Sequence, residues 1–338
     1  MKRLLFLFIV CMMIAGSVYA QESTPETAAD VGAQWIAPEA TAEATTEPTP
    51  TPITPLEFDE YGVFYDVSQS HEGLRRRYLL YIPPNYDPEG APIPLIVALH
   101  PANSNSEGFA TFSGFDVIGE RENAAVVYPN GINFVWNDGR VGDPRVQNVD
   151  DVTFIQSMIE VVSASLNIDQ TRIYAAGYSM GGMLAYRLGC RLPDTFAAVA
   201  SVASTMPRYV LDECESAPPV SLIVLQGTDD FVVPWAGIRG ENGYLSAAET
   251  IQFWRDHNVC SPEITQTVLP DVDPNDGTRV IAEHYNNCRD NSRLAFYGVY
   301  FGGHTYPGHP LREIPGVDLT TRDIFAEEVI WEFFASNQ

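Results

Sequence analysis

The sequence predicts an α/β fold, with a mostly parallel central sheet covered by helices on both faces. From Phe58 onward, short β-rich runs alternate with helical stretches, the pattern that crossover connections between parallel strands produce. The stretch from Asp150 to Leu166 carries Phe154, Ile155, Met158, Val161 and Val162 at helical spacing. An apolar content of 45% against 19% charged residues belongs to a chain with a substantial core.

The elements follow in order. Arg77 to Ile82, Leu95 to Leu99 and Ala124 to Tyr128 read as strands. The helix over 150–166 comes next, with Asn148 or Asp150 to cap it. Arg172 to Ala176 is the following strand, and Met180 to Leu192 is the helix behind it. Val199 to Val202, Leu222 to Leu225 and Ala295 to Tyr300 complete the sheet, and a last helix runs from about Thr321 to Phe334. The chain shows no internal repeat.

Residues 1–20 read as a secretory signal peptide. Lys2 and Arg3 give a basic start, Leu4 to Ile14 an apolar run, and Val18-Tyr19-Ala20 a small-x-small cleavage site. The run is too short for a comfortable membrane span, so no membrane insertion is expected after cleavage. Cys11 raises a lipoprotein anchor, but the bulky Val10 before it and its place inside the apolar run argue against one. Residues 21–56 form a Thr/Pro/Glu-rich linker ending in Glu47-Pro48-Thr49-Pro50-Thr51-Pro52, too poor in apolar side chains to pack. A single domain is expected over 57–338, in an extracellular setting.

Losing Lys2 and Arg3 takes the formal charge from −25 to −27, and no other lysine exists in the chain. Such a surface repels phosphates and anionic membranes, so no nucleic-acid or membrane partner is expected, and the protein should be a monomer. Outside the signal peptide stand Cys190, Cys214, Cys260 and Cys288. An even number in an exported chain favours two disulfides with three possible pairings, of which the nearest in sequence is preferred. No Cys-x-x-Cys pair exists, which argues against a cysteine zinc site.

The chemistry centres on Gly177-Tyr178-Ser179-Met180-Gly181-Gly182, between a predicted strand and a predicted helix. A nucleophile there sits on a sharp bend that glycines relieve, and the helix N-terminus points N–H groups at developing negative charge. Serine needs a histidine to take its proton and an acid to orient that histidine. With this kind of elbow, the acid and then the base follow on loops after later strands. Gln226-Gly227-Thr228-Asp229-Asp230 follows one such strand, and Gly302-Gly303-His304 follows another. His71, His257, His284 and His309 have no comparable setting and read as surface or packing residues.

From about Phe64 to the C-terminus the chain resembles carbohydrate esterase family 1 and the related polyhydroxybutyrate depolymerase-like esterases, feruloyl esterases among them. Five ordered motifs carry the resemblance: Trp136-Asn137-Asp138-Gly139-Arg140, Val149-Asp150-Asp151-Val152, the glycine-flanked serine, the segment Gly227 to Pro234, and Gly302 to Gly308. The resemblance implies an α/β-hydrolase fold, a Ser179, Asp230, His304 triad, and no metal or organic cofactor. Asp229 stays open as the alternative acid. Trp136 should border the cleft as an aromatic wall, with a tryptophan packed under the loop as the bland alternative, and Tyr178 is assigned to substrate binding beside it.

The family's oxyanion loop usually carries His-Gly where this chain has His100-Pro101. Proline lacks an N–H, so the second donor must be a later amide, and Ala102 is expected to act with Met180. His100 itself reads as structural, and Asp150 and Asp151 as capping and loop-fixing residues. Asp271, Asp273, Asn275 and Asp276 suggest a calcium loop, but glycine falls one position late and Ala282 replaces the closing glutamate. A turn between two strands is the better reading. The implied substrate is an ester on a polymer or oligomer. Feruloyl or acetyl groups on plant polysaccharide lead, hydroxyalkanoate oligomers follow, and a peptidase or a non-catalytic binding protein on the same scaffold stand behind both.

Overall fold

Strand β3 (Ile93–Leu99) is buried at every position and shows how the domain is layered. Its side chains alternate, so Leu95, Val97 and Leu99 enter one core while Ile96 and Ala98 enter another on the opposite face. The neighbouring strands repeat that alternation. The structure, a computed structural model, describes residues 53–309 and 318–337. The signal-peptide assignment and the linker up to residue 52 lie outside them. All described residues fall within one compact unit, Thr51–Gln338. Leu56, at the end of the expected linker, already packs against the core and donates its N–H to Ser165 Oγ at 2.8 Å.

The described strands form one 10-stranded sheet. In chain order they are β1 (Val63–His71), β2 (Leu74–Ile82), β3, β4 (Ala125–Pro129), β5 (Ile168–Tyr178), β6 (Ala198–Val202), β7 (Ser221–Gly227), β8 (Ile264–Val268), β9 (Arg279–Tyr285) and β10 (Leu294–Tyr300). In space they run β1-β2-β4-β3-β5-β6-β7-β10-β9-β8. From β4 to β10 every pairing is parallel; β1 and β2 at one edge, and β9 and β8 at the other, pair antiparallel.

Helices cover both faces. On one lie α3 (Asp151–Ser165), α4 (Met180–Arg191) and α6 (Ala247–His257), whose buried residues join the core of Leu95 and Val97. On the other lie α1 (Ser106–Ser113), α2 (Phe115–Glu122) and α7 (Ala326–Ala335), joining Ile96 and Ala98. A short α5 (Leu211–Cys214) follows β6. Asp150 caps α3 through the N–H groups of Val152 and Thr153. The last helix starts at Ala326 rather than near Thr321. Residues 319–321 are instead extended, because their carbonyls accept from Gly303 and Gly308 of the 302–308 loop.

Disulfides join Cys190 to Cys214 and Cys260 to Cys288, the nearest-in-sequence pairing. The acidic segment at 271–276 lies in the turn between antiparallel β8 and β9. Asp276 there spends its oxygens on Thr278 and on the Arg322 N–H. Beneath the other end of the sheet, Arg76 and Asp151 form an ion pair with side chains 1% and 0% exposed. Asp151 also accepts the Asn137 N–H at 2.6 Å, and Arg76 lies 3.7 Å over the Phe154 ring while donating to the Asn130 carbonyl. The pair thus fastens the 130–137 segment to the start of α3, the loop-fixing role expected of Asp151.

Candidate active site

The sheet changes direction of winding between β3 and β5: β4 lies on one side of that pair and β6 on the other. The loops leaving the two carboxyl ends diverge there, which opens a crevice where α/β proteins bind ligands. Ser179 follows β5, and the His100–Asn103 loop follows β3. Asp230 and His304 follow β7 and β10 on the same edge.

Ser179 has φ 55° and ψ −118°, an unusual conformation for a residue with a side chain. Its N–H donates to the Val202 carbonyl at 2.8 Å, which holds the bend from the β6 side. The flanking glycines are sterically required: a Cβ on Gly177 would fall inside the carbonyl of Gly181, and one on Gly181 inside the Leu99 carbonyl. The second contact also shows how closely the nucleophile turn is seated against the end of β3.

His304 Nε2 lies 2.9 Å from Ser179 Oγ, and His304 Nδ1 lies 2.8 Å from Asp230 Oδ2. A carboxylate can only accept, so Nδ1 carries the proton and the Nε2 lone pair faces the serine hydroxyl. Asp230 is 3% exposed, yet its charge is well supplied with donors. Oδ1 accepts the N–H groups of Val232 and Val233 at 2.9 and 2.8 Å, and Oδ2 accepts Gln226 Nε2 at 3.1 Å. Asp229 points away: it is exposed and accepts from Thr228 Oγ1. The two aspartates are therefore separated by burial, and only Asp230 meets the histidine.

Met180 opens α4, so its N–H has no partner within the helix. The N–H of Ala102 likewise meets no acceptor among the described residues. His100 aims that second amide. Gly131 N–H donates to His100 Nε2 at 3.0 Å, so the ring proton sits on Nδ1, which donates to the Pro101 carbonyl at 2.8 Å. The Pro101 carbonyl and the Ala102 N–H belong to one trans peptide and point in opposite directions. Clamping the carbonyl fixes the amide.

His100 is fully buried, and burial pushes its imidazole down to about 4. The unfolded chain would take a proton near 6.5 that the fold refuses. Stability is therefore complete above about pH 6.5 and falls as pH drops toward 4, by up to roughly 3 kcal/mol from this group. A His100→Gln variant should be weaker at pH 7 but lose about 2–3 kcal/mol less than the parent between pH 7 and 4.5 in urea titrations. Equal losses in both proteins would remove His100 as the acid-sensitive group.

Two assignments are corrected. Trp136 is 0% exposed and cannot offer a wall to a substrate. It donates Nε1–H to the His100 carbonyl at 2.8 Å and packs its ring 4.5 Å from that imidazole, so it supports the loop from below. Tyr178, 1% exposed, is equally withdrawn from substrate; its hydroxyl donates to the His304 carbonyl at 2.8 Å and its ring stacks on the imidazole. Asp318 was not foreseen. It accepts the His304 N–H from a segment whose only sequence signal is an aspartate among apolar residues. Gln226 carried a better signal, a lone amide ending the apolar strand Leu222 to Leu225. Among the described residues no cluster of His, Cys, Asp and Glu could hold a metal ion.

Residues 76–228 match the family model described as "Esterase PHB depolymerase". The chain is 27% identical over 281 residues to feruloyl esterase D of Neurospora crassa, covering 80% of this chain and 84% of that one. It is 27% identical over 241 residues to feruloyl esterase B of Piromyces equi, covering 68% of this chain but 42% of the relative. Among solved structures, the acetyl xylan esterase of Aspergillus awamori superposes with a TM-score of 0.54 at 16% identity, over 81% of this chain and 99% of that one. That last likeness speaks for the fold alone. Together with the serine-bearing elbow at the sheet's switch point, these findings make the chain a serine carboxylic ester hydrolase of the α/β-hydrolase fold, akin to carbohydrate esterase family 1 and the polyhydroxybutyrate depolymerases.

Proposed function

We propose that Ser179, His304 and Asp230 form the catalytic triad of a secreted esterase that releases feruloyl or acetyl groups from plant polysaccharide through an acyl-enzyme. The observation that carries the mechanism is the continuous hydrogen-bonded run from Ser179 Oγ through the imidazole to Asp230. Ser179 attacks the ester carbonyl as His304 Nε2 takes its proton, and the imidazolium then returns that proton to the leaving alcohol. Asp230 stabilises the imidazolium. The amides of Met180 and Ala102 receive the oxyanion, each contributing about 3 kcal/mol to the transition state. Water, deprotonated by His304, attacks the acyl-enzyme and releases the acid.

The substrate reading rests on the relatives' names and on apolar side chains held out to solvent. Phe134, Phe231 and Phe301 are 57%, 59% and 57% exposed. Each stands on a segment that serves the site: the Phe134 carbonyl accepts the Asn103 N–H, Phe231 adjoins Asp230, and Phe301 precedes the His304 glycines. Aromatic surface of this kind suits an aromatic acyl group. Export through residues 1–20 and a tether from residue 21 that ends before Leu56, which packs on the catalytic domain, complete the proposal. The family model's description favours hydroxyalkanoate oligomers as the second reading.

The deciding measurement is kcat/KM on methyl ferulate against a 3-hydroxybutyrate oligomer. At least a tenfold preference for ferulate is expected, and the reverse preference would replace the polysaccharide reading by the polyester one. A fluorophosphonate should label the protein at Ser179, and failure to label would sink the nucleophile assignment.

A further inference from the structure

A cavity of about 250 Å³ opens between α6 and the strands β9 and β10. It is bounded by the two segments that carry the site: Trp235 lies on the loop after Asp230, and Tyr300 ends the strand that leads to His304. The Trp235 ring stands 5.5 Å from Phe296 and 6.5 Å from Tyr300, making an aromatic wall.

Gly298 forms part of that wall, between Phe296 and Tyr300 on the same face of β10. Glycine inside a strand weakens it, and commonly marks a place where something approaches the backbone closely. Here neither crowding nor backbone conformation demands it. Its φ is not positive, and a Cβ would reach only an ordinary contact, 3.4 Å from Trp235. The missing side chain instead leaves the floor open beneath the indole.

The polar groups are of two opposite kinds. The Arg255 guanidinium makes no hydrogen bond or ion pair among the described residues, and its buried Nε has no partner. Its guanidinium lies 5.6 Å over the Tyr285 ring. Glu283, also in the lining, accepts from Tyr285 and Gln266, which orients its carboxylate. A donor fork and an oriented carboxylate serve adjacent hydroxyl groups, while an aromatic face serves the C–H side of a sugar ring. A cation and an anion in one cavity, on a chain of net charge −25, favour a neutral ligand over an acidic one. The volume lies just below the range of drug-sized pockets and suits one ring rather than several.

We propose that this cavity is a subsite for one neutral sugar ring of the polysaccharide, holding the polymer beside the triad. The proposal rests on the polysaccharide reading of the substrate, and the test separates the two. Xylohexaose, which carries no ester, is titrated calorimetrically into the Ser179→Ala protein, with and without Trp235→Ala or Arg255→Ala. Saturable binding is expected, weakened roughly tenfold by either substitution. In the Ser179 background both variants should keep kcat/KM on methyl ferulate, which shows that they fold. No saturable binding, binding that ignores both substitutions, or tighter binding of glucuronic acid than of xylohexaose would each overturn the subsite. Failure of the parent enzyme on methyl ferulate would instead overturn the substrate reading, while the titration still reports on the cavity.

Discussion

Ser179→Ala should lower kcat by roughly six orders of magnitude and leave the fold and KM nearly unchanged. The expectation follows from how the serine is held. Its position depends on main-chain features, the bond from its N–H to the Val202 carbonyl and the seating of Gly181 against Leu99, and none of these involves Oγ. Deleting Oγ therefore removes the attacking atom and the one hydrogen bond it makes to His304, and little else. What survives is the contribution of the oxyanion amides and of binding, which can retain a residual 10³–10⁴-fold rate over water. Single-turnover measurement on methyl ferulate reads the loss directly. Turnover within tenfold of the parent would show that another group is the nucleophile.

Asp151→Ala should destabilise the protein by about 3–5 kcal/mol, a large loss for a substitution away from the triad. Asp151 and Arg76 are both essentially inaccessible, and the arginine already has Nε and Nη1 without partners among the described residues. Removing the carboxylate strands a guanidinium in the core and frees the Asn137 N–H. Burial raises the Asp151 carboxyl above its ordinary range even with Arg76 beside it, which marks how much desolvation the pair offsets. The double substitution Arg76→Met with Asp151→Leu should recover most of the loss, because two well-packed apolar side chains carry no such cost. Urea midpoints of the parent and both variants check this. A single variant as stable as the parent would mean that the buried pair is relaxed by water that reaches it.

The parallel strands and the helices behind the elbow were legible because burial on both faces leaves a strong pattern. Leu95 to Leu99 and Leu222 to Leu225 are apolar throughout, and their shortness and β-branched content mark them as buried strands. The edges were not. β8, Ile-Thr-Gln-Thr-Val, is exposed at every residue and has no apolar face to announce it. β1 alternates only weakly, and α6 went unread although Ser246 and Glu249 form a capping box at its start. At the site, order along the chain pointed to the segments carrying Asp229, Asp230 and His304 because the elbow dictates where partners must follow, and the family resemblance, not that order, singled out Asp230. The roles of Trp136 and Tyr178 were misjudged for a shared reason. An aromatic residue near a nucleophile reads the same whether it faces the substrate or braces the loop, and only burial separates the two.

The Cys190–Cys214 bond sits at the far end of the helix that begins beside Ser179. At its near end the same helix is wedged, through Gly181, against the carboxyl end of β3. A rod pinned at both ends has little compliance along its axis. Whatever breathing the surrounding loops undergo, the nucleophile moves with the sheet rather than with them, so its registry against the imidazole is a property of the scaffold's stiffness.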